Sequence, residues 1–126
     1  MFKLVESSHT DPVRMAVAPG TNFKPGHIAQ IKEIEGNIFC ELSNGSCPFG
    51  IVGTLTDLNM IRVYPQKMVF RTSTYQSDKK YKEGCALYVS KNGILTSEAP
   101  FTDALYVARM ITPPDNSKKY LEALWI

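Results

Sequence analysis

Cys85-Ala86-Leu87-Tyr88-Val89-Ser90-Lys91-Asn92-Gly93-Ile94-Leu95-Thr96 decides the fold. Cys85–Ser90 reads as a strand, Lys91-Asn92-Gly93 as a turn and Ile94–Thr96 as the returning strand. Asn-Gly suits that turn because both residues tolerate positive φ. The first half of the chain repeats the idiom. Phe23-Lys24-Pro25-Gly26 opens one strand-like run as Tyr81-Lys82-Glu83-Gly84 opens the other, and Glu35-Gly36 turns the first copy as Asn92-Gly93 turns the second. Further on, Ile51-Val52-Gly53-Thr54 answers Tyr106-Val107-Ala108-Arg109. An imperfect duplication of strand-turn-strand units predicts two related halves. Such a frame has no built-in chemistry, so function must be argued from a site or a surface.

Working outward, His27–Ile31 and Ile38–Leu42 are strand candidates, and Ser43-Asn44-Gly45 reads as a hairpin turn after the second. Phe49–Leu55 carries Gly50 and Gly53, which predicts a bulge or a close backbone approach. Met60–Tyr64 and Met68–Thr74 flank a turn at Pro65-Gln66-Lys67, and their β-branched and aromatic residues suit a pleated surface. Leu105–Ile111 is a further strand, and Thr112–Ser117, with Pro113 and Pro114, is irregular. Lys118–Ile126 has Tyr120, Leu121, Leu124 and Trp125 at helical spacing, with Ser117 as a cap. Read as a strand, it puts Leu121, Ala123 and Trp125 on one face, and its company favours the strand. Residues 1–22 are broken by Ser7, Ser8, Asp11-Pro12 and Pro19-Gly20 and read as an arm, with only Val13–Ala18 strand-like. The expectation is an all-β chain: a small β-barrel or sandwich of short antiparallel strands over 23–126, with an extended N-terminal arm over 1–22.

At 126 residues there is room for one core. A hydrophobic content of 44% and a charged content of 21% are those of an ordinary folded domain. A net charge of +2 is too small for a protein whose main business is gripping duplex phosphates. No apolar run approaches the ~18 residues of a membrane span, and the N-terminus lacks the apolar region of a signal peptide, so synthesis in the cytoplasm is expected. Three cysteines, Cys40, Cys47 and Cys85, are an odd count that argues against a disulfide framework. Cys40 and Cys47 flank a turn and could pair across it; free, partly buried thiols are the expectation.

Chemistry-bearing residues are few. His9 and His27 belong to no metal-ligand spacing, so no metal or cofactor is expected. No Gly-x-Ser-x-Gly elbow is present, and a pairing of His27 with a cysteine is not something the sequence shows. Asp57, Glu98, Asp103 and Asp115 sit in turn contexts, where a carboxylate usually bonds its own backbone. Gly50 and Gly53 lack the Lys and helix of a phosphate loop, and Asn44-Gly45-Ser46, formally a glycosylation sequon, reads as a turn. Lys79-Lys80-Tyr81-Lys82 and Lys118-Lys119-Tyr120 set lysine beside tyrosine. That pattern describes either solvated loop ends that protect strand edges or a stacking platform for single-stranded nucleic acid, with Tyr88 as a further ring.

From Tyr81 to Trp125 the line of aromatic, two residues, Gly, then Leu87-Tyr88-Val89-Ser90, then Gly93-Ile94-Leu95-Thr96, with Pro100 following, resembles small virion proteins of tailed bacteriophages. Val107-Ala108-Arg109-Met110 matches a Val-Gly-Arg-Val-like strand of that group, with Ala108 in place of the more usual Gly. Pro113-Pro114 and Leu121–Trp125 match its closing loop and strand. The resemblance is to capsid decoration, or cement, proteins. It implies a structural protein of the capsid surface with no catalytic residues and no cofactor, made in the host cytoplasm. The major capsid protein and further copies of the chain, as dimer or trimer, are the implied partners; neither membrane nor nucleic acid is expected as a partner. A tail, neck or baseplate component, or a single-strand-binding barrel, are the alternatives. Interface candidates are Phe2, Leu4, Val5 and Val13 in the arm, Pro113 and Pro114 in the loop, and Trp125 and Ile126 at the end.

Overall fold

The computed structural model describes residues 1–5, 8, 10–56 and 59–126. Strands β1 (Phe2–Leu4), β2 (Val13–Ala16), β3 (Ile28–Ile34), β4 (Asn37–Leu42), β5 (Gly50–Leu55), β6 (Met60–Tyr64), β7 (Met68–Thr72), β8 (Ala86–Val89), β9 (Leu95–Thr96), β10 (Ala108–Thr112) and β11 (Leu121–Trp125) form two antiparallel sheets, with no helix among the described residues. One sheet runs β1-β7-β11-β10-β8-β9 and the other β2-β6-β5-β3-β4. Leaving out β1, the two orders are the same pattern, and the all-β class is as the sequence predicts.

The duplication extends to individual hydrogen bonds. Gly26 N–H donates to Val52 O and Gly84 N–H to Met110 O, both at 2.8 Å. Phe49 N–H meets Ala29 O as Val107 N–H meets Leu87 O, again at 2.8 Å. Each of these residues lies 58 positions before its counterpart, 26 before 84 and 49 before 107. The pair Ile28–Ile51 answers Ala86–Arg109, and Ala29–Gly50 answers Leu87–Ala108. Even the irregularities coincide: the β5–β6 register slips at Gly53, between Val52 and Thr54, and the β10–β11 register slips at Ile111, between Met110 and Thr112. Each sheet curls until its outer strands approach, through parallel bridges Val17–Cys40 and Tyr75–Leu95.

The main core lies between the sheets. Ile28 and Ile51 of one meet Phe70, Leu87, Leu95 and Trp125 of the other, all buried. A second cluster, Phe23, Ala29, Cys40, Val52, Ile61 and Val63, fills the curl of the five-stranded sheet. Strand β11 buries Leu121, Ala123 and Trp125 on alternate positions, which settles the 118–126 segment as a strand from Leu121 onward.

Four expectations need correction. The match of Ile51-Val52-Gly53-Thr54 to Tyr106–Arg109 is out of step by three residues, since Gly50 and Ile51 correspond to Ala108 and Arg109. Asn44-Gly45 does not turn a hairpin, because β3 lies between β4 and β5; Asn44 Oδ1 instead accepts from Ser46 N–H at 3.1 Å to close a local turn. The strand expected from Leu105 begins at Ala108. Residues 1–22, expected as an arm, supply an edge strand to each sheet: β1 pairs Phe2, Lys3 and Leu4 with Thr72, Arg71 and Phe70, and β2 pairs with β6.

A candidate binding cleft at the junction of the halves

The loop between β4 and β5 and the loop between β9 and β10 hold equivalent places, because Phe49 and Val107 make the same backbone bond. Both loops run to the junction of the halves. There they meet Pro65, which links β6 to β7, and the chain end at Trp125-Ile126, around a cavity of about 420 Å³. Its walls are drawn from both copies: Cys47 with Leu105, Pro48 with Tyr106, Phe49 with Val107. The Ile126 N–H donates to Val107 O at 2.9 Å, which ties the C-terminus into this wall.

The rim is mixed: exposed apolar side chains stand beside polar groups such as Ser46. Leu105 is 83% exposed, Ile126 56% and Tyr106 42%, while Trp125 forms a floor only 3% exposed. The Arg109 guanidinium lies 4.8 Å from the centre of the Tyr106 ring and donates to Gly84 O at 3.1 Å, so the tyrosine is steered from behind. Scattered exposed apolar residues mean little, but a contiguous set around a concavity is the signature of a contact surface.

The interface candidates read from sequence divide around this cleft. Trp125 and Ile126 line it. Phe2 is half-buried and stacks between Tyr64 at 5.4 Å and Phe70 at 5.8 Å, so its ring is spent within the chain. Leu4 packs on the main core, and Val5 donates its N–H to Val69 O at 3.0 Å. Val13, on β2, is 40% exposed. Pro113 and Pro114 are half-buried, and Pro114 lines a separate cleft on the second half. Leu105 and Tyr106 were not singled out from sequence; a correct register of the repeat, which sets Cys47-Pro48 opposite Leu105-Tyr106, would have found them.

The titratable residues are held individually. His27 accepts through Nδ1 from Lys24 N–H at 3.0 Å, and burial, then the Lys24 charge, push its pKa down. All three cysteines are free: Cys40 is buried, its thiol pushed up to about 11 by burial, and it points at Met15 Sδ at 3.3 Å; Cys47 is exposed and Cys85 half-buried. Glu98 pairs with Lys79 at 2.8 Å, and Asp103 is exposed. Asp115 Oδ1 accepts from Ser117 Oγ, Ser117 N–H and Lys118 N–H, which hold its carboxyl below the usual range. His9 and Asp57 lie outside the described residues. The two lysine-tyrosine stretches converge, with Lys79, Lys80, Tyr81, Lys82 and Lys119 around one cleft and Tyr88 elsewhere, on β8.

A scan against protein-family models found no match for this chain, and a search of curated proteins found none either.

Proposed function

We propose that this chain is a structural module that works by shape and adhesion and carries out no reaction, and that its setting is the capsid lattice of a tailed bacteriophage. The major capsid protein is then its partner. The observation that carries the adhesive part is the exposure of the apolar side chains Leu105, Tyr106 and Ile126 at the junction cleft. Burying apolar area is worth about 25 cal/mol per Å², and modest contacts of that kind repeated over a lattice accumulate through effective concentration. Leu105 and Tyr106 sit on the loop between β9 and β10, anchored at both ends to the six-stranded sheet, with Val107 N–H held by Leu87 O at 2.8 Å. The phage setting rests on the likeness of Tyr81–Trp125 to cement proteins.

The test is co-sedimentation with purified heads that lack the protein. Wild-type chain binds and raises the temperature at which heads release their contents, and Leu105→Asp abolishes both effects while its own unfolding curve is unchanged. Purified virions that never contain the chain, or heads that bind the variant as well as the wild type, would sink the reading.

A further inference from the structure

The repeat supplies two equivalent clefts, one on each half, and they have diverged in chemistry. On the first half, Val17, Thr21, Asn22 and Phe23 line one wall of a cavity of about 210 Å³. Their counterparts 58 positions on, Tyr75, Lys79, Lys80 and Tyr81, line a cavity of about 540 Å³ on the second half. Thr21 and Asn22 are thus replaced by two lysines, and Val17 by a tyrosine. The opposite wall has changed as well: Leu55 and Met60 stand in the first cleft, and Pro114, Asp115 and Lys119 in the second. One fold position, used twice, is neutral in one copy and basic and aromatic in the other.

The local geometry separates the available charges from the occupied ones. Lys79 is held by Glu98 at 2.8 Å, and Asp115 is engaged by its own loop through Ser117 and Lys118. Lys80, Lys82 and Lys119 are exposed, and no carboxylate of the described residues forms an ion pair with them. Tyr75 and Tyr81 meet edge to face at 5.5 Å, and Tyr81 donates its hydroxyl to Gln76 O at 2.6 Å, which fixes the pair as a rigid floor. Available lysines around fixed aromatic rings match what an unpaired nucleic-acid strand needs: cations for the backbone and a ring face for a base.

We propose that this cleft binds single-stranded nucleic acid, with Lys80, Lys82 and Lys119 against phosphates and Tyr75 beneath a base. The site is independent of the junction cleft and of the capsid setting.

Fluorescence anisotropy of a labelled single-stranded oligothymidylate of about 12 nucleotides tests it. Binding is expected at low salt. Three phosphate contacts predict a slope of about −2 for log K against log salt. The triple variant Lys80→Ala, Lys82→Ala, Lys119→Ala is expected to lose at least about tenfold in affinity and to flatten that slope. Tyr75→Phe binds as wild type, whereas Tyr75→Leu loses severalfold, and changing Thr21 and Asn22 to Ala in the equivalent cleft has no effect. No binding at low salt, or a triple variant equal to wild type, would overturn the proposal. Displacement of the oligonucleotide by polyglutamate at equal charge concentration would also overturn it, by making the site one for acidic polypeptide. Head co-sedimentation of the triple variant remains at the wild-type level, which keeps the two readings separable.

Discussion

Gly26 and Gly84 hold one position in two copies of the same unit. Both have positive φ, 92° and 75°, and each donates its N–H at 2.8 Å to the equivalent strand of its own half, Val52 on β5 or Met110 on β10. Their surroundings differ. A Cβ on Gly26 would lie 2.6 Å from Thr72 Oγ1 and from Thr74 Cβ, whereas a Cβ on Gly84 would meet nothing within 4 Å. Gly84→Ala therefore costs only the left-handed backbone strain, about 1–2 kcal/mol. Gly26→Ala carries that strain and an overpacking cost of about 1–3 kcal/mol besides. Urea unfolding of the two variants should rank them in that order, and equal costs would show that Thr72 and Thr74 yield freely.

Phe2 tests whether the N-terminus belongs to the fold. Its ring bridges Tyr64 of one sheet and Phe70 of the other, and its neighbourhood includes the space left by Gly53, where a Cβ would lie 3.4 Å from Phe2 Cδ2. The Met1 carbonyl accepts from Thr72 Oγ1 at 2.8 Å, giving a buried hydroxyl its partner. Phe2→Ala is expected to destabilise the isolated protein by about 2 kcal/mol, the worth of a half-buried aromatic side chain. An arm waiting for a neighbouring subunit would give a change near zero by chemical denaturation of the lone chain.

What was legible in sequence was what is local. The β8–β9 hairpin follows from Asn92-Gly93, where Gly93 takes φ 74° and donates to Ser90 O at 3.0 Å. The bulge at Gly53 follows from a glycine inside an apolar strand, and there a Cβ would strike the Tyr64 ring. What was not legible depends on long-range pairing. Asn44-Gly45 has the composition of a hairpin turn, but β3 lies between β4 and β5, and no local signal announces that. Phe2 pairs with Thr72, seventy residues away in sequence. The junction cleft is half visible in sequence: Trp125 and Ile126 stand out as candidates, while Leu105 reads as part of a strand that in fact starts at Ala108. An exposed leucine in a loop carries no period, so only the register of the repeat gives it a place.

The cysteines should separate by accessibility. Cys47 is exposed on the cleft wall, Cys85 is half-buried and Cys40 is fully enclosed in the curl of the five-stranded sheet. The thiolate is the reactive form, and burial holds Cys40 at about 11, far from ionised at neutral pH. Alkylation followed by peptide mass analysis should label Cys47 first and Cys40 only as the protein unfolds. Modification of Cys47 with a bulky reagent should also block head binding in the proposed setting. Early labelling of Cys40 would mean that the curl opens well below the global unfolding free energy.

His27 sets a pH dependence whose sign follows from its surroundings. The imidazole is partly buried beside Phe23, with ring centres 6.4 Å apart, and burial, then the Lys24 charge, lower its pKa from the ordinary 6.5. Its Nδ1 accepts a hydrogen bond from Lys24 N–H, which only an unprotonated nitrogen can do. Between the lowered folded value and 6.5, the unfolded chain carries the proton and the folded chain does not. Stability therefore rises with pH across that window, is complete above 6.5, and stops falling once the pH is below the folded value. Replacing His27 by Gln keeps an acceptor near Lys24 N–H and removes the titration, so the slope of unfolding free energy against pH in this window should shrink. Cys85, the counterpart of His27 58 positions on, donates its own N–H to Lys82 O at 3.1 Å just as His27 donates to Lys24 O at 3.0 Å, so the turn itself needs no imidazole. An NMR titration that places the folded His27 pKa at or above 6.5, or an unchanged slope in His27→Gln, would show that the imidazole is solvated and that the acid sensitivity arises elsewhere.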